Sequence, residues 1–439
     1  MDHHEELSIV HSELSLTISS LSIVCRAFQG VGGAGIFSMV PIIVVEMVEP
    51  QKYGAYNGFV SIAIALSFLL GPLLGGAITD GTTWRWIFWI NLPVGAIALA
   101  LILITMPAGF PDRAAMASPN LFGFFKKDFN IRNRVDYPGF FMLLTTCVLL
   151  VVAIEEAGTD YAWNSALALT CLVLAGVIFI AFITWQWYMD YSKSPREPVF
   201  PWQFVKNRVL MGMYLQAFLS GIPFVTFVIE LPLRFISING KSAFDSGVGV
   251  LPFTLGIGVS SGLAGMFLAK GRVPVIPQVL FASILQILGT GLLYSVPVTT
   301  HIPARIYGYQ VLVGMGAGFS LTSLIMTVPA IVDRRVLAVG MGGVTQMRIL
   351  GGALGTSIAT NILNTTAKSR LATEISAETL SRILKDVSLV KTLSSADQLL
   401  VQAAFGEGFK RQLAMMLGFC AAEVIAVAMM MEWPLRRLQ

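Results

Sequence analysis

Charge is scarce in this chain. Asp, Glu, Lys and Arg make up 12% of its 439 residues, where a soluble domain carries about 25%. A soluble protein of two or three domains is thereby excluded. The net charge is only +4 and spread over connecting segments, so nucleic acid finds no basic patch to bind. Histidine is as rare. His3, His4, His11 and His301 are the four, and none falls in a long apolar run. Most metal, haem and His-base schemes for a membrane enzyme therefore lapse. Cys25, Cys147, Cys171 and Cys420 form no CxxC or Cys/His pair. They read as buried small hydrophobes, with no disulfide or zinc framework implied. A GxxxxGK[ST] loop is missing, so nothing suggests ATP drive. The start, MDHHEELSIVHSEL, lacks the n- and h-regions of a signal peptide, and no lipidation motif is present. No cofactor and no enzyme activity are implied.

What abounds is apolar. Hydrophobic residues are 55% of the chain and the mean hydropathy is +0.74. About eleven runs are long enough to cross a bilayer core, which takes roughly 20 helical residues. They fall at 20–48, 56–79, 86–106, 137–155, 166–187, 209–229, 248–268, 276–296, 303–329, 338–364 and 411–432. The sequence thus predicts an all-α integral membrane protein. Lys and Arg set its orientation. If the connection after the first run is cytoplasmic, that side gathers about sixteen of them, among them Lys52, Arg113, Lys126, Lys193, Lys270, Arg334 and Arg436. The short outer connections hold about four, Arg85, Arg234, Lys241 and Arg305. The chain then starts outside and ends inside. Between the last two runs, 368–404 has an amphipathic helical pattern, expected as an outer structural cap, with partner or lipid contact as the other reading.

The chain is organised around GFVSIAIALSFLLGPLLGGAITDGTTWRWIFWINLPVG, residues 58–95. Gly71, Pro72, Gly75 and Gly76 lie in one run, and the next opens on Trp84-Arg85-Trp86. Small residues let helix backbones approach closely, and packing drives association where lipid is as apolar as Leu. Pro72 removes a helical donor and supplies a pivot. The indoles suit an interfacial belt. A moving seam and a static one are both compatible with this pattern. Gly351, Gly352 and Gly355 echo it as GGALG.

These motifs resemble the major facilitator superfamily, in its 14-helix drug:proton antiporters, and most closely the fungal multidrug and mycotoxin efflux branch. GPLLGG resembles the antiporter motif of the family's fifth helix, and WRWIFWINLPVG the branch's sixth. Arg26, Gln29, Gly30 and Gly33, in RAFQGVGG, resemble the RxxQGxG motif of helix four. The likeness runs from about Leu21 over nearly the whole chain. It implies a major facilitator fold with about eleven helices of an expected fourteen. The first three have no counterpart, and with them goes the Gly/Asp/Arg loop between helices two and three. Residues 1–19 then read as an atypical polar N-terminus and 20–106 as the rest of the N-terminal lobe. Cytoplasmic linkers and an inserted helix pair occupy 107–208. A C-terminal six-helix lobe follows at 209–432, with an outer loop at 365–410, and 433–439 form a cytoplasmic tail. The GGxxG echo would fall on helix thirteen, the equivalent of helix five, as parallel repeats allow.

The resemblance also implies roles. In the family the Arg of helix four is associated with proton coupling, by interaction with an acid on helix one. Arg26 and Gln29 are the matching positions, and the partner acid is missing. The other reading is that Arg26 snorkels to the outer interface. The family's cavity-lining helices correspond here to 20–48, 209–229 and 303–329. They offer Tyr214, Gln216, Phe218, Phe224, Gln310, Phe319, Thr322 and Ser323 as cavity candidates, with helix packing as the alternative for each. Gln346 and Arg348 join them from the tenth run. A buried Arg348 needs an acceptor, either on a substrate or on a neighbouring helix. Glu46 and Glu49 read as interfacial, Glu155, Glu156 and Asp160 as solvated in an outer loop, and Glu230 as a helix-end charge or a titrating group at the outer mouth. Asn364-Thr365-Thr366 is a sequon near an outer helix end.

The expected function is export of a small hydrophobic drug, toxin or secondary metabolite by proton antiport with alternating access. The partners would be substrate, protons and lipid, and the protein a monomer in the plasma membrane, with the vacuolar membrane as the alternative. The rival is a truncated relative that does not transport, from an incomplete gene model or pseudogene, or a binding or sensing protein. A siderophore or sugar is a third, weaker choice of substrate.

Overall fold

The computed structural model describes residues 23–40, 42–44, 47–48, 53–83, 85–106, 135–157, 161, 163–192, 196–269, 271, 273–299, 301–333, 336–385 and 387–433. Expectations for residues 1–19, the linker 107–134, Trp84, Glu46, Glu49, Asp160, the tail from 434 and the basic residues Lys52, Lys193, Lys270 and Arg334 lie outside them.

The described chain is helical. Its elements are α1 (Ile23–Val44), α2 (Tyr53–Gly81), α3 (Arg85–Thr105, with a turn at Ile90), α4 (Tyr137–Glu156), α5 (Ala166–Tyr191), the short α6 (Trp202–Lys206), α7 (Arg208–Ser237), α8 (Ala243–Ala269), α9 (Val275–Ser295), α10 (Arg305–Thr327), α11 (Leu337–Leu371), the short α12 (Ala377–Lys385) and α13 (Ser395–Met429). Among the described residues, nine of these are long and apolar enough to cross a membrane. The others that match expected runs are α2, of 29 residues, and α11, of 35. At 1.5 Å per residue these reach roughly 43 and 52 Å, more than a hydrocarbon core of roughly 30 Å.

Helices α7 to α11 and α13 make the packed body. α7 lies against α11 and α13, α9 against α10 and α13, and α8 against α10. Four elements outrun the sequence expectation. α7 continues through Pro232 to Ser237, α8 begins at Ala243, α11 continues through the Asn364 sequon to Leu371, and α13 begins at Ser395. The expected ends followed charges and prolines. In the fold Glu230 and Arg234 are buried, Pro223 and Pro232 both stand inside α7, and Asp245, Arg370 and Arg411 stay exposed on helices that run on past them. Residues Leu371, Leu380, Ile383, Val390, Val401 and Phe405 close an apolar cluster beneath α12.

The inserted pair, α4 and α5, is held by one carboxylate. Asp136 is 1% exposed and caps α4 through Gly139 N at 2.9 Å. It also accepts from Trp185 Nε1 and Gln186 Nε2, each at 2.8 Å. Hydrogen bonds to a charged acceptor are worth ~1.5–3 kcal/mol each, and the orphaned buried donors add their own cost. Asp136→Ala is therefore expected to destabilise the pair by about 3 kcal/mol. Thermal unfolding of the purified variant checks this, and an unshifted transition would refute it. The pair docks on α11, where Glu155 Oε2 accepts from Ser357 Oγ at 3.2 Å and Asn361 donates to the Ala157 carbonyl. Glu155, expected as solvated in an outer loop, is exposed but lies in the last turn of α4 and also reaches another helix.

The helices α1 and α3 are different. Their side chains stand open, with Phe28 75% and Ile104 79% exposed. A helix apolar on every side is stable only when covered by protein or lipid. Cys25, on α1, is exposed; Cys147 and Cys171 are half-buried, and Cys420 alone of the four is buried as expected.

Candidate functional site

Two features gather the chemistry: a close crossing between α2 and α8, and a buried polar cluster inside the body. At the crossing, Gly76 lies on the start of α8. A Cβ there would stand 2.6 Å from Phe244 Cα and 2.8 Å from the Ala243 carbonyl oxygen. From the other side, a Cβ on Gly247 would stand 2.6 Å from the Pro72 carbonyl oxygen. Asp80, one turn past Gly76, accepts from Phe244 N at 3.0 Å and caps α8. The motif around Pro72 therefore joins the N-terminal helices to the C-terminal body through backbone contact. Gly71 and Gly75 face open space, as do Gly30 and Gly33 on α1.

The echo motif engages differently. Gly351 backs onto the Phe218 carbonyl of α7, Gly352 onto Val225 and Gly355 onto Ile222. It closes a seam within the C-terminal body, between α11 and α7.

The polar cluster centres on Glu423 of α13, which is fully buried. Its Oε2 accepts from Gln216 Nε2 of α7 at 2.8 Å, and from Ser283 Oγ and Gln286 Nε2 of α9 at 2.8 and 3.2 Å. Gln216 also donates to Ser283 Oγ at 3.1 Å. Its other oxygen, Oε1, is buried without a hydrogen-bond partner. Arg348 of α11 is 4% exposed and is electrostatically coupled to Glu423, yet its Nη2 is also buried without a partner. Charge at this depth is costly unless paired or hydrogen-bonded, and where it occurs in a membrane span it marks function more often than not.

A second buried acid lies along α7. Glu230 is 4% exposed and stands seven residues inside the end of α7, so the helix-end reading of this residue is corrected. Its Oε1 accepts from Thr360 Oγ1 at 3.4 Å. Arg234 and Gln412 join it around a cavity of about 20 Å³ walled by Phe227, Phe409 and Met416, room for about one water.

The other expected site residues are dispersed. Arg26 is exposed, with its guanidinium 4.9 Å above the Phe88 ring of α3; Gln29 is exposed on the same helix. Tyr214 is buried against Phe200 and Phe204, its hydroxyl donating to the Gly340 carbonyl at 3.5 Å. Phe218 is half-buried at the α11 seam. Gln310 is fully buried with both amide atoms unpartnered. Phe319 packs on Phe281, and Thr322 is buried. Phe224 is half-buried, and Ser323 accepts from Gln278 Nε2 at 3.1 Å. Gln346 is exposed on α11, two residues from buried Arg348. Of the expected cavity set, only Gln216 and Arg348 come together, around an acid the sequence reading passed over. Its signal was there: Glu423 is the lone acid in the interior of the run 411–432.

The Major Facilitator Superfamily profile matches residues 9–356. An MFS-type transporter of Fusarium mangiferae is 37% identical over 416 residues, 93% of this chain and 68% of that protein. A thioclapurine efflux transporter of Claviceps purpurea is 29% identical, over 87% of this chain and 68% of its own length. An aspyridones efflux protein of Neocamarosporium betae is 29% identical, over 81% and 61%. This chain thus spans about two thirds of the length of these relatives. A bacterial homologue of the human lysosomal transporter Spinster, solved in an inward-facing and occupied conformation, aligns over 89% of this chain and 90% of its own, at 13% identity and a TM-score of 0.42.

Proposed function

The chain belongs to the major facilitator superfamily and is a multi-pass membrane protein; from that premise we propose that it exports small hydrophobic secondary metabolites or toxins by proton antiport with alternating access. The names of its relatives, efflux proteins for thioclapurine and aspyridones, support the direction and the substrate class. The observation that carries the reading is the α2–α8 crossing. Two halves that rock about a fixed substrate site need a contact that breaks and reforms without dragging long side chains. Gly76 on Phe244 and Gly247 on Pro72 make such a contact. The plasma membrane is the site of action in this reading, and the monomer the working unit.

The test is flux in sealed vesicles, with rhodamine 6G and a radiolabelled apolar metabolite as probes. An imposed proton gradient is expected to drive their accumulation, and a protonophore to collapse it. Flux indifferent to the protonophore would remove the antiport half of the proposal. Absence of flux would favour the rival reading, a relative that does not transport. Arg26→Ala separates the two roles of that residue. A coupling Arg26 predicts loss of gradient-driven flux at normal protein level. An anchor held only by Phe88 predicts unchanged flux, since an exposed cation–π contact is worth ~0.5–1 kcal/mol.

A further inference from the structure

Glu423 is a buried acid with one satisfied and one vacant oxygen. Oε2 takes three donors, from Gln216, Ser283 and Gln286. These neutral groups hold the carboxyl in place whether or not it carries a proton. Oε1 has no partner, and neither does Nη2 of Arg348 on the facing helix. An ionised carboxylate and a guanidinium, both buried on packed helices, gain by closing into an ion pair. With both atoms unpartnered, that pair stands open in this structure.

Among the described residues, the side chains hydrogen-bonded to Glu423 are all neutral. From α7 it meets Gln216. From α9 it meets Ser283 and Gln286, and α9 contains no acidic or basic residue. Tyr294 of α9 lies two turns beyond Gln286. On α13 itself, Cys420 is one turn away and shares a 3.9 Å contact with Thr290. Arg348 of α11 is the charged group coupled to it. Glu230 and Arg234 are 14 and 18 residues along α7 from Gln216, roughly 20 Å or more distant.

We propose that Glu423 carries the transported proton, which binds at Oε1 and leaves from it. Loss of the proton closes the pair with Arg348; its return opens the pair. This rests on the antiport reading above and names the acid that reading requires. The mechanical consequence follows from packing. Arg348 is one turn from Gly351, and the Arg348 carbonyl lies on Gly221 of α7. Pulling Arg348 toward α13 therefore shifts α11 where its backbone touches α7. Bistable packing of this kind turns a small local change into a helix shift.

Two measurements test it, and each can fail alone. Infrared difference spectra of the full-length protein in lipid vesicles are taken between about pH 5 and pH 9, a range that brackets the ordinary titrations of His and of perturbed carboxyls. A protonated-carboxyl carbonyl band that comes and goes with pH, and is absent in Glu423→Gln, supports the proposal. A Gln variant whose spectra match wild type overturns it. The second measurement is rhodamine 6G flux. Glu423→Gln is expected to lose gradient-driven accumulation at least tenfold and to keep dye exchange down its own gradient. Gradient-driven flux that survives in Glu423→Gln overturns the proposal and leaves antiport standing. A wild type that transports without proton drive overturns antiport, and with it the transported-proton role, while the infrared band still reports whether Glu423 takes up a proton. Should the Gln variant fail to fold, Glu423→Asp keeps the carboxyl and withdraws it by one methylene. Its pH profile of flux is then expected to move, and an unmoved profile overturns the proposal.

Discussion

Replacing Gly76 by leucine is expected to stop transport while the protein still folds. A Cβ at this position meets Phe244 Cα at 2.6 Å and two further backbone atoms of α8 within 2.8 Å. Backbone cannot rotate out of the way as a side chain can, so the helices must separate. Forcing extra atoms into a packed contact costs ~1–3 kcal/mol. Each 1.4 kcal/mol is about a factor of ten, so the state that holds this contact would be depopulated roughly 5- to 150-fold. An alternating transporter needs that state once per cycle. The initial rate of gradient-driven flux per molecule should therefore fall at least about fivefold, with the amount of protein in the membrane unchanged. Gly75→Leu is the control. No atom of the described residues lies within 4 Å of a Cβ at Gly75, so its flux should stay near wild type. Equal flux in the two leucine variants would show that α2 and α8 do not meet in the working cycle.

The contrast between Gly75 and Gly76 also marks how far the sequence could be read. The runs of apolar residues are governed by bilayer thickness, a one-dimensional constraint, so the existence of the spans was legible, though the ends of four of them were not. Which glycine of a motif touches a neighbour is set by helix rotation, and a run apolar on every side carries no record of it. The same holds for charge. Lys and Arg in connections report topology directly, because each acts alone. A buried acid acts through partners far away in sequence: Glu423 is 207 residues from Gln216 and 137 from Gln286. Arg348 stands out in its apolar run, and a buried Arg there needs an acceptor. The answer lay on α13, where an apolar run with one acid looked like any other. Glu230 was misplaced for a related reason. Pro232 suggested that the helix ended there, whereas in a membrane body neighbouring helices can satisfy the backbone a proline frees.

The paired substitution of Arg348 and Glu423 is expected to separate stability from coupling. Arg348→Met alone leaves the Glu423 carboxyl facing an apolar gap, and Glu423→Met alone leaves the guanidinium so. At a pH where the proton has left and the pair is closed, removing one member costs ~3–5 kcal/mol, whereas exchanging both for apolar residues of similar volume is often neutral. Each single variant should therefore unfold at lower temperature in detergent. The double variant should recover to within about 1 kcal/mol of wild type, because methionine fills irregular space without leaving a charge behind. Gradient-driven flux should be lost in all three, since none keeps both the proton site and the cation that answers it. Recovery of stability without recovery of coupling is the pattern that a purely structural couple does not produce: there, a double variant as stable as wild type would also transport. If instead the losses of the two single variants simply add in the double, Arg348 and Glu423 do not act on one another, and the orphaned Nη2 and Oε1 need separate explanations.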